Sequence, residues 1–280
     1  MAPSLAIVGK PTFDPCPRVE VTISGLTAGS SVVNVWRTAD GKRRAVRGGR
    51  KRSVNGSDFV VDYEVPQARV VSYDLEIVSG PNVGSVTPTQ TVVVDSGSWV
   101  IQDPLTPGTA MPLAVTKQDS TRPYLTAAAV KQLEYNASVS IIPILGSPDP
   151  VALMGQRLSA SNVSFDMFTN MAQLTTQLRN LLMQAPLLLV RPNGTRNNGI
   201  PGLAYFACAK PVERPVTVAF GGTLTNWGLA GDLVAAPTMN VLVPVWTYGK
   251  VAALWSTYQQ AQTALAGKTY LDVLKSPSGV

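Results

Sequence analysis

The first third of the chain alternates apolar and polar positions with a period of two. Val19, Val21 and Ile23 point one way while Glu20 and Thr22 point the other. Phe59, Val61, Tyr63 and Val65 alternate with Val60, Asp62 and Glu64, and Val71, Tyr73, Leu75 and Ile77 alternate with Ser72, Asp74 and Glu76. Turn residues fall between these runs, at Gly25, Asp40-Gly41, Asn55-Gly56 and Gly80-Pro81. Short half-buried strands at this spacing, with no helical period among them, predict an immunoglobulin-like or fibronectin type III-like β-sandwich over residues 1–97.

A junction follows, rich in turn formers, around Asp95, Gly97 and Ser98 and again at Asp103, Pro104, Pro107 and Gly108. Beyond it the pattern is mixed over residues 98–280. Apolar runs at 135–145, 187–190, 203–209, 216–220 and 239–245 read as strands. Asn193-Gly194 and Asn198-Gly199 flank a hairpin loop between the second and third of them. Two stretches have helical period. In 171–184, Met171, Leu174, Leu178, Leu181 and Leu182 share a face, and Pro186 ends the run. In 250–266, Val251, Leu254, Trp255, Tyr258, Ala261 and Leu265 form a second stripe, stopped by Gly267. Thr247 and Thr269, each followed by a tyrosine, are candidate helix caps. The expected fold is mainly β: a sandwich, then a β-rich domain with two or three helices.

Composition narrows the chemistry. The 280 residues suit two domains, and 45% hydrophobic with only 14% charged side chains excludes a disordered chain. There is no histidine, so Ser–His–Asp and Cys–His catalysis and every imidazole ligand are excluded. Cys16 and Cys208 are too few for a zinc cage or a disulfide scaffold. Cys208, in an apolar run, is expected to be buried, and Cys16, between two prolines, to be exposed. No signal peptide or membrane-spanning helix is expected, which predicts a soluble chain in a cytosol-like compartment. The sequons at Asn55, Asn136, Asn162 and Asn193 then carry no glycan.

The net charge of +6 is local. Lys42, Arg43, Arg44, Arg47, Arg50, Lys51 and Arg52 lie together with no acid among them, and the rest of the chain is near neutral. This run is the candidate partner-contact patch: a solvated hairpin tip, or a surface for an acidic protein face or nucleic acid. Other motifs fall short. Gly267-Lys268-Thr269 ends like a phosphate loop, but Gln262 stands where its first glycine is needed. Asp95, Asp103 and Asp119 match no calcium loop. Asp62/Glu64 and Asp74/Glu76 are spaced for glycosidic acid–base work, though outward strand positions are polar in any case. Trp99, Trp227, Trp246 and Trp255 would suit either a sugar platform or core burial. These readings assign no catalytic, cofactor or metal residue, and describe a binding or building protein, not an enzyme.

Several segments resemble minor tail proteins of siphophages that infect actinobacteria. They are Val35 to Gly41, Val46 to Gly48, Val61 to Pro66, the junction from Trp99 to Pro104, and the ending with Thr247-Tyr248, Tyr258 and Thr269-Tyr270. Residues 173–182, leading into 187–190, are similar to a helix–strand unit of distal tail proteins. The resemblance implies a virion structural protein of the tail tip, assembled in the host cytoplasm. It implies a homo-oligomeric ring, usually a hexamer, that joins the tail tube to the hub and baseplate around the tape-measure protein. The sandwich would lie outward and the domain over 98–280 would build the ring. The alternatives are a carbohydrate- or receptor-binding module for host glycans and, third, nucleic-acid binding through 42–52.

Overall fold

The period-two runs of the N-terminal third fold into two antiparallel sheets that enclose one core. The computed structural model describes residues 2–115, 121–127, 129–130, 132–145, 148–194, 199–216, 221–238, 252 and 254–268. Its architecture is mainly β, with antiparallel sheets and two described helices. It divides into two compact units, one of residues 1–96, 105–108 and 238–280, the other of 97–104 and 109–237. The expected strand at 239–245, most of that at 216–220, Trp246, and the Thr247 and Thr269 caps lie outside the described residues.

The first unit holds β1 (Ser4–Lys10), β2 (Arg18–Ser24), β3 (Ser30–Ala39), β4 (Lys42–Ala45), β5 (Arg52–Asn55), β6 (Asp58–Asp62), β7 (Val70–Ser79) and β8 (Gln90–Val93). One sheet runs β1-β2-β6; the other runs β4-β3-β7-β8, with β5 also paired to β3. This is the strand order of a fibronectin type III-like sandwich. Val19, Val21 and Ile23 from one sheet meet Val33, Val35, Val71, Tyr73 and Leu75 from the other. Asp40 and Gly41, at φ 50° and 70°, join β3 to β4 in the backbone conformation a tight hairpin requires, and glycine reaches it without strain. Strand β6 reverses its expected faces: Val60 and Asp62 point into the core, while Phe59 and Val61 are half-buried. Cys16 is also a correction, being fully buried, whereas Cys208 is buried as expected.

The second unit holds β9 (Trp99–Asp103), most of β10 (Thr106–Leu113), β11 (Tyr124–Leu125), β12 (Ala137–Ile142), β13 (Val151–Arg157), β14 (Val163–Ser164), β15 (Met167–Thr169), α1 (Ala172–Gln184), β16 (Leu187–Arg191), β17 (Ala204–Ala207), β18 (Val212–Pro215), β19 (Thr225–Gly228) and β20 (Ala230–Val234). A six-stranded sheet, β10-β9-β16-β17-β20-β14, and a four-stranded one, β11-β15-β19-β18, share its core with α1. From α1 come Leu178, Leu181 and Leu182; Met171, placed on the same face by periodicity, stays exposed just before the helix begins. Strand β16 is buried on both faces, which accounts for its unbroken apolar run. It pairs antiparallel with β17, Leu187 opposite Ala207, so the hairpin signalled by the Asn-Gly pairs is present. Phe165 meets Phe206 edge-on at 4.8 Å between ring centroids. On β20, Gly231 allows β17 to approach, since a Cβ there would lie 1.9 Å from the Ala207 carbonyl oxygen.

The second described helix, α2 (Tyr258–Leu265), is shorter than the 250–266 stripe, because the Thr257 hydroxyl caps its start by accepting from the Gln260 N–H. None of its residues is buried, and Leu254 and Tyr258 are exposed, so the described part of the stripe covers no core. No described helix is long and apolar enough to cross a membrane.

Candidate functional site

The basic run occupies the edge of the sandwich beside β3. Lys42, Arg43 and Arg44 form most of β4, Arg52 opens β5, and Arg47, Arg50 and Lys51 lie in the turn between. That turn is fixed to β3 by reciprocal backbone bonds, Val46 N–H to the Val35 carbonyl and Val35 N–H to the Gly49 carbonyl, both 2.8 Å. The Asn34 side chain accepts from the Lys51 N–H at 2.7 Å.

The seven cations do not form one patch. Arg47 donates from Nε and an Nη to Glu64 at 3.0 and 2.6 Å, with both side chains nearly buried. Arg52 pairs with Asp58, and Arg43 with Asp74 across the sheet. Those carboxylates raise the pKa of both arginines further. Lys42, Arg44, Arg50 and Lys51 remain exposed and without a side-chain partner among the described residues. The charge available to a partner is therefore four cations, not seven.

Behind the turn lies a buried polar network that alternation placed on the outside. Arg37, on β3, is 3% exposed and reaches both oxygens of Asp62 at 2.8 Å and the Glu64 carbonyl at 2.7 Å. The Tyr73 hydroxyl donates to Asp62 at 2.8 Å, and the Glu64 N–H donates to it at 2.9 Å. Burial, reinforced by the Asp62 charge, holds the Tyr73 hydroxyl well above the usual tyrosine range. Charges this deep persist only when paired and hydrogen-bonded, and here they are. Asp62 faces the core alongside Val60, and every residue from Asp62 to Gln67 is buried, so the contrast between alternate positions is lost just after β6.

Neither carboxylate pair is free for acid–base chemistry. Asp62 and Glu64 are engaged by Arg37 and Arg47. On the outer face of the sandwich, Asp74 binds Arg43, while Glu76 accepts from Asn34 at 2.9 Å and from the Trp36 indole N–H at 2.6 Å. These bonds, Asn34 first, hold the Glu76 carboxyl below its usual range, the opposite of what a general acid needs. The Arg43 guanidinium covers the Trp36 ring, 4.4 Å from its centroid. Trp99 and Trp227 are both 3% exposed, and Trp227 donates to Thr169 at 3.0 Å, so neither offers a sugar platform. Among the described residues no group of three or more acidic, cysteine or histidine side chains is placed to hold a metal ion.

No family model and no curated protein matches this chain.

One surface escaped the sequence reading altogether. Strands β12 and β13 form a two-stranded hairpin, with Ile142 opposite Val151 and Val139 opposite Met154. Every described residue from 138 to 159 is exposed. Its large apolar side chains are Val139, Ile141, Ile142, Val151, Leu153 and Met154 on the strands, with Ile144, Leu145 and Leu158 beyond them. Both faces carry them: Val139, Ile141 and Met154 on one, Ile142, Val151 and Leu153 on the other. Ser138 and Ser140 alternate with Ala137, Val139 and Ile141, the pattern of a half-buried strand, so sequence locates β12 but gives no sign that both of its faces stand in solvent.

Proposed function

We propose that this chain is a non-enzymatic structural protein of a phage tail tip, forming a homo-oligomeric, hexameric ring that joins the tail tube to the hub and baseplate. The reading begins from the tail-protein-like segments, which occur in order along most of the chain. The observation that carries it is the uncovered hairpin: the molecule presents a large apolar surface suited to assembly, while its close carboxylate pairs are engaged internally. A ring needs two different complementary faces on each subunit, and a surface of this kind supplies one. Its partners are further copies of itself, the tail tube protein, the hub and the tape-measure protein, and its location is the virion.

The test is native mass spectrometry of the full chain across a concentration series, alone and with the tail tube protein. A closed oligomer is the expected result. A chain that stays monomeric under both conditions overturns the proposal.

A further inference from the structure

The four-stranded sheet β11-β15-β19-β18 has a second face that the core does not use. Met167, Thr169, Thr225 and Trp227 point inward and are buried. The alternate positions place one row across all four strands: Tyr124 opposite Phe168, Phe168 opposite Asn226, and Asn226 opposite Arg214. At ~4.8 Å per strand the row is roughly 14 Å long. Tyr124, Phe168 and Asn226 are half-buried and Arg214 is exposed.

The Tyr124 and Phe168 rings adjoin, 5.5 Å between centroids and 32° apart in plane. Gly228 stands two positions from Asn226 on the same face of β19. A Cβ there would lie 2.8 and 3.3 Å from the two Nη atoms of Arg214, so the guanidinium lies back over β19 instead of reaching off the sheet edge. It has no hydrogen-bond or ion-pair partner among the described residues. The amide oxygens of Asn226 and of Asn170, two positions beyond Phe168, are covered and have no donor among the described residues either. An acceptor left so is costly, and a small turn of the amide toward an incoming hydroxyl relieves it.

Three properties of the face select its occupant. Adjoining aromatic rings take the apolar C–H face of a ring. A free guanidinium takes a carboxylate through two parallel N–H bonds. Amide oxygens without donors take hydroxyls. A sugar that carries a carboxylate meets all three. A single-stranded nucleic acid has bases to stack but a charge on every residue, and needs a track of cations. The other charges near the row do not supply one. Asp166, two positions before Phe168, is an acid and accepts from the Leu229 N–H at 3.2 Å. Glu213 is held by Arg179, Arg122 donates to Ser98, and Lys210 lies in the loop before β18.

We infer that this face binds an acidic oligosaccharide, with Tyr124 and Phe168 against a sugar ring, Arg214 on its carboxylate, and Gly228 positioning Arg214. The inference does not rest on the ring reading. A monomer that binds such sugars, or a ring that does not, separates the two.

The experiment is isothermal titration calorimetry on the full chain with hyaluronan hexasaccharide, trigalacturonate, the carboxyl-reduced neutral hexasaccharide and oligothymidylate. Both acidic sugars are expected to bind wild type. Arg214→Ser is expected to weaken them about tenfold and to leave the neutral hexasaccharide unchanged. Phe168→Leu should weaken acidic and neutral sugars alike, about fivefold. Gly228→Ala displaces the guanidinium and should act as a milder Arg214→Ser, about threefold. Arg214 is exposed, so its substitution keeps the fold, and far-UV circular dichroism checks the other two variants. If neither acidic sugar binds, the inference is overturned. Binding that ignores both Arg214→Ser and Phe168→Leu also overturns it. A neutral hexasaccharide bound as tightly as the acidic one overturns the carboxylate contact. Oligothymidylate bound more tightly than the sugars, with the same losses, overturns the sugar assignment in favour of nucleic acid.

Discussion

The sandwich and the second unit solve burial by different means. In the sandwich, Arg37, Asp62, Glu64 and the Tyr73 hydroxyl sit inside a valine-rich core, each satisfied by another of the group or by the Arg47 beside it. In the second unit the core is built mainly of Leu, Phe, Met and Trp around one fully buried cation, Arg191, which donates to Gln102 at 2.6 Å, and large apolar side chains also stand exposed on β12 and β13. One unit buries charge as neutralised ion pairs; the other buries a single arginine against an amide and leaves a hairpin's apolar side chains exposed. The first arrangement fixes one register of strands and leaves little to bind.

The largest effects should come from the two cores. Asp62→Ala leaves Arg37 buried without its carboxylate and is expected to cost about 3–5 kcal/mol, read from urea unfolding of the full chain. Phe206→Ala, an apolar truncation in the other core, is expected to cost a similar ~3–5 kcal/mol. The contrast lies in the repair. Replacing Arg37 and Asp62 together by Met and Leu should recover most of the loss, because no buried charge is left alone. No second substitution of that kind exists for Phe206. If the Met/Leu pair is as unstable as Asp62→Ala, the network contributes more than mutual neutralisation.

Next in size is a test within the basic run. Arg47→Ser strips the nearly buried Glu64 of its partner and should cost about 1–3 kcal/mol, while Arg44→Ser should stay within about 0.5 kcal/mol. Equal effects would mean that the run is one solvated patch after all. Changing Lys42, Arg44, Arg50 and Lys51 together to Ser should leave the melting temperature unchanged. If these four meet phosphates, retention of DNA will fall and its salt dependence will flatten.

Alkaline pH offers a third handle, again on the sandwich alone. Burial lifts the Tyr63 hydroxyl to about 12, and Tyr73 lies well above its ordinary value. Because the folded state keeps these protons longer, the stability they contribute is full below pH about 10. It is lost as pH rises from there through about 12. Alkaline unfolding followed by tyrosinate absorbance should show this, and Tyr63→Phe should shrink the loss. The smallest effect is expected on the outer face: Trp36→Phe removes one donor to Glu76 and should raise its carboxyl pKa, seen by NMR titration, without shifting the melting temperature.

Sequence periodicity read the strands well where one face is wet and the other dry, as on β2 and β7, and it found α1 from its leucine spacing. It misread positions where tertiary pairing overrides polarity. Asp62 and Glu64 look like outward residues and are held inward by two arginines, one of them more than twenty positions away in the chain. Cys16 looks exposed beside its prolines and is fully buried. The basic run was legible as a cluster, but its division into three paired and four free cations depends on carboxylates on β6 and β7 and just after them. The hairpin is the extreme case, since its alternating residues read as a half-buried strand while both of its faces stand in solvent.

The position of the basic run has one more consequence. Strands β4 and β5 form the outer rim of their sheet, where a bare strand would invite another chain to add on and propagate. Charged side chains crowded along such a rim repel a like rim on any neighbour. Lys42 and Arg44 on β4, with Arg50 and Lys51 in the turn beside it, thus oppose fibril-like stacking of sandwiches. Neutralising all four should leave the fold intact and make the protein prone to precipitate.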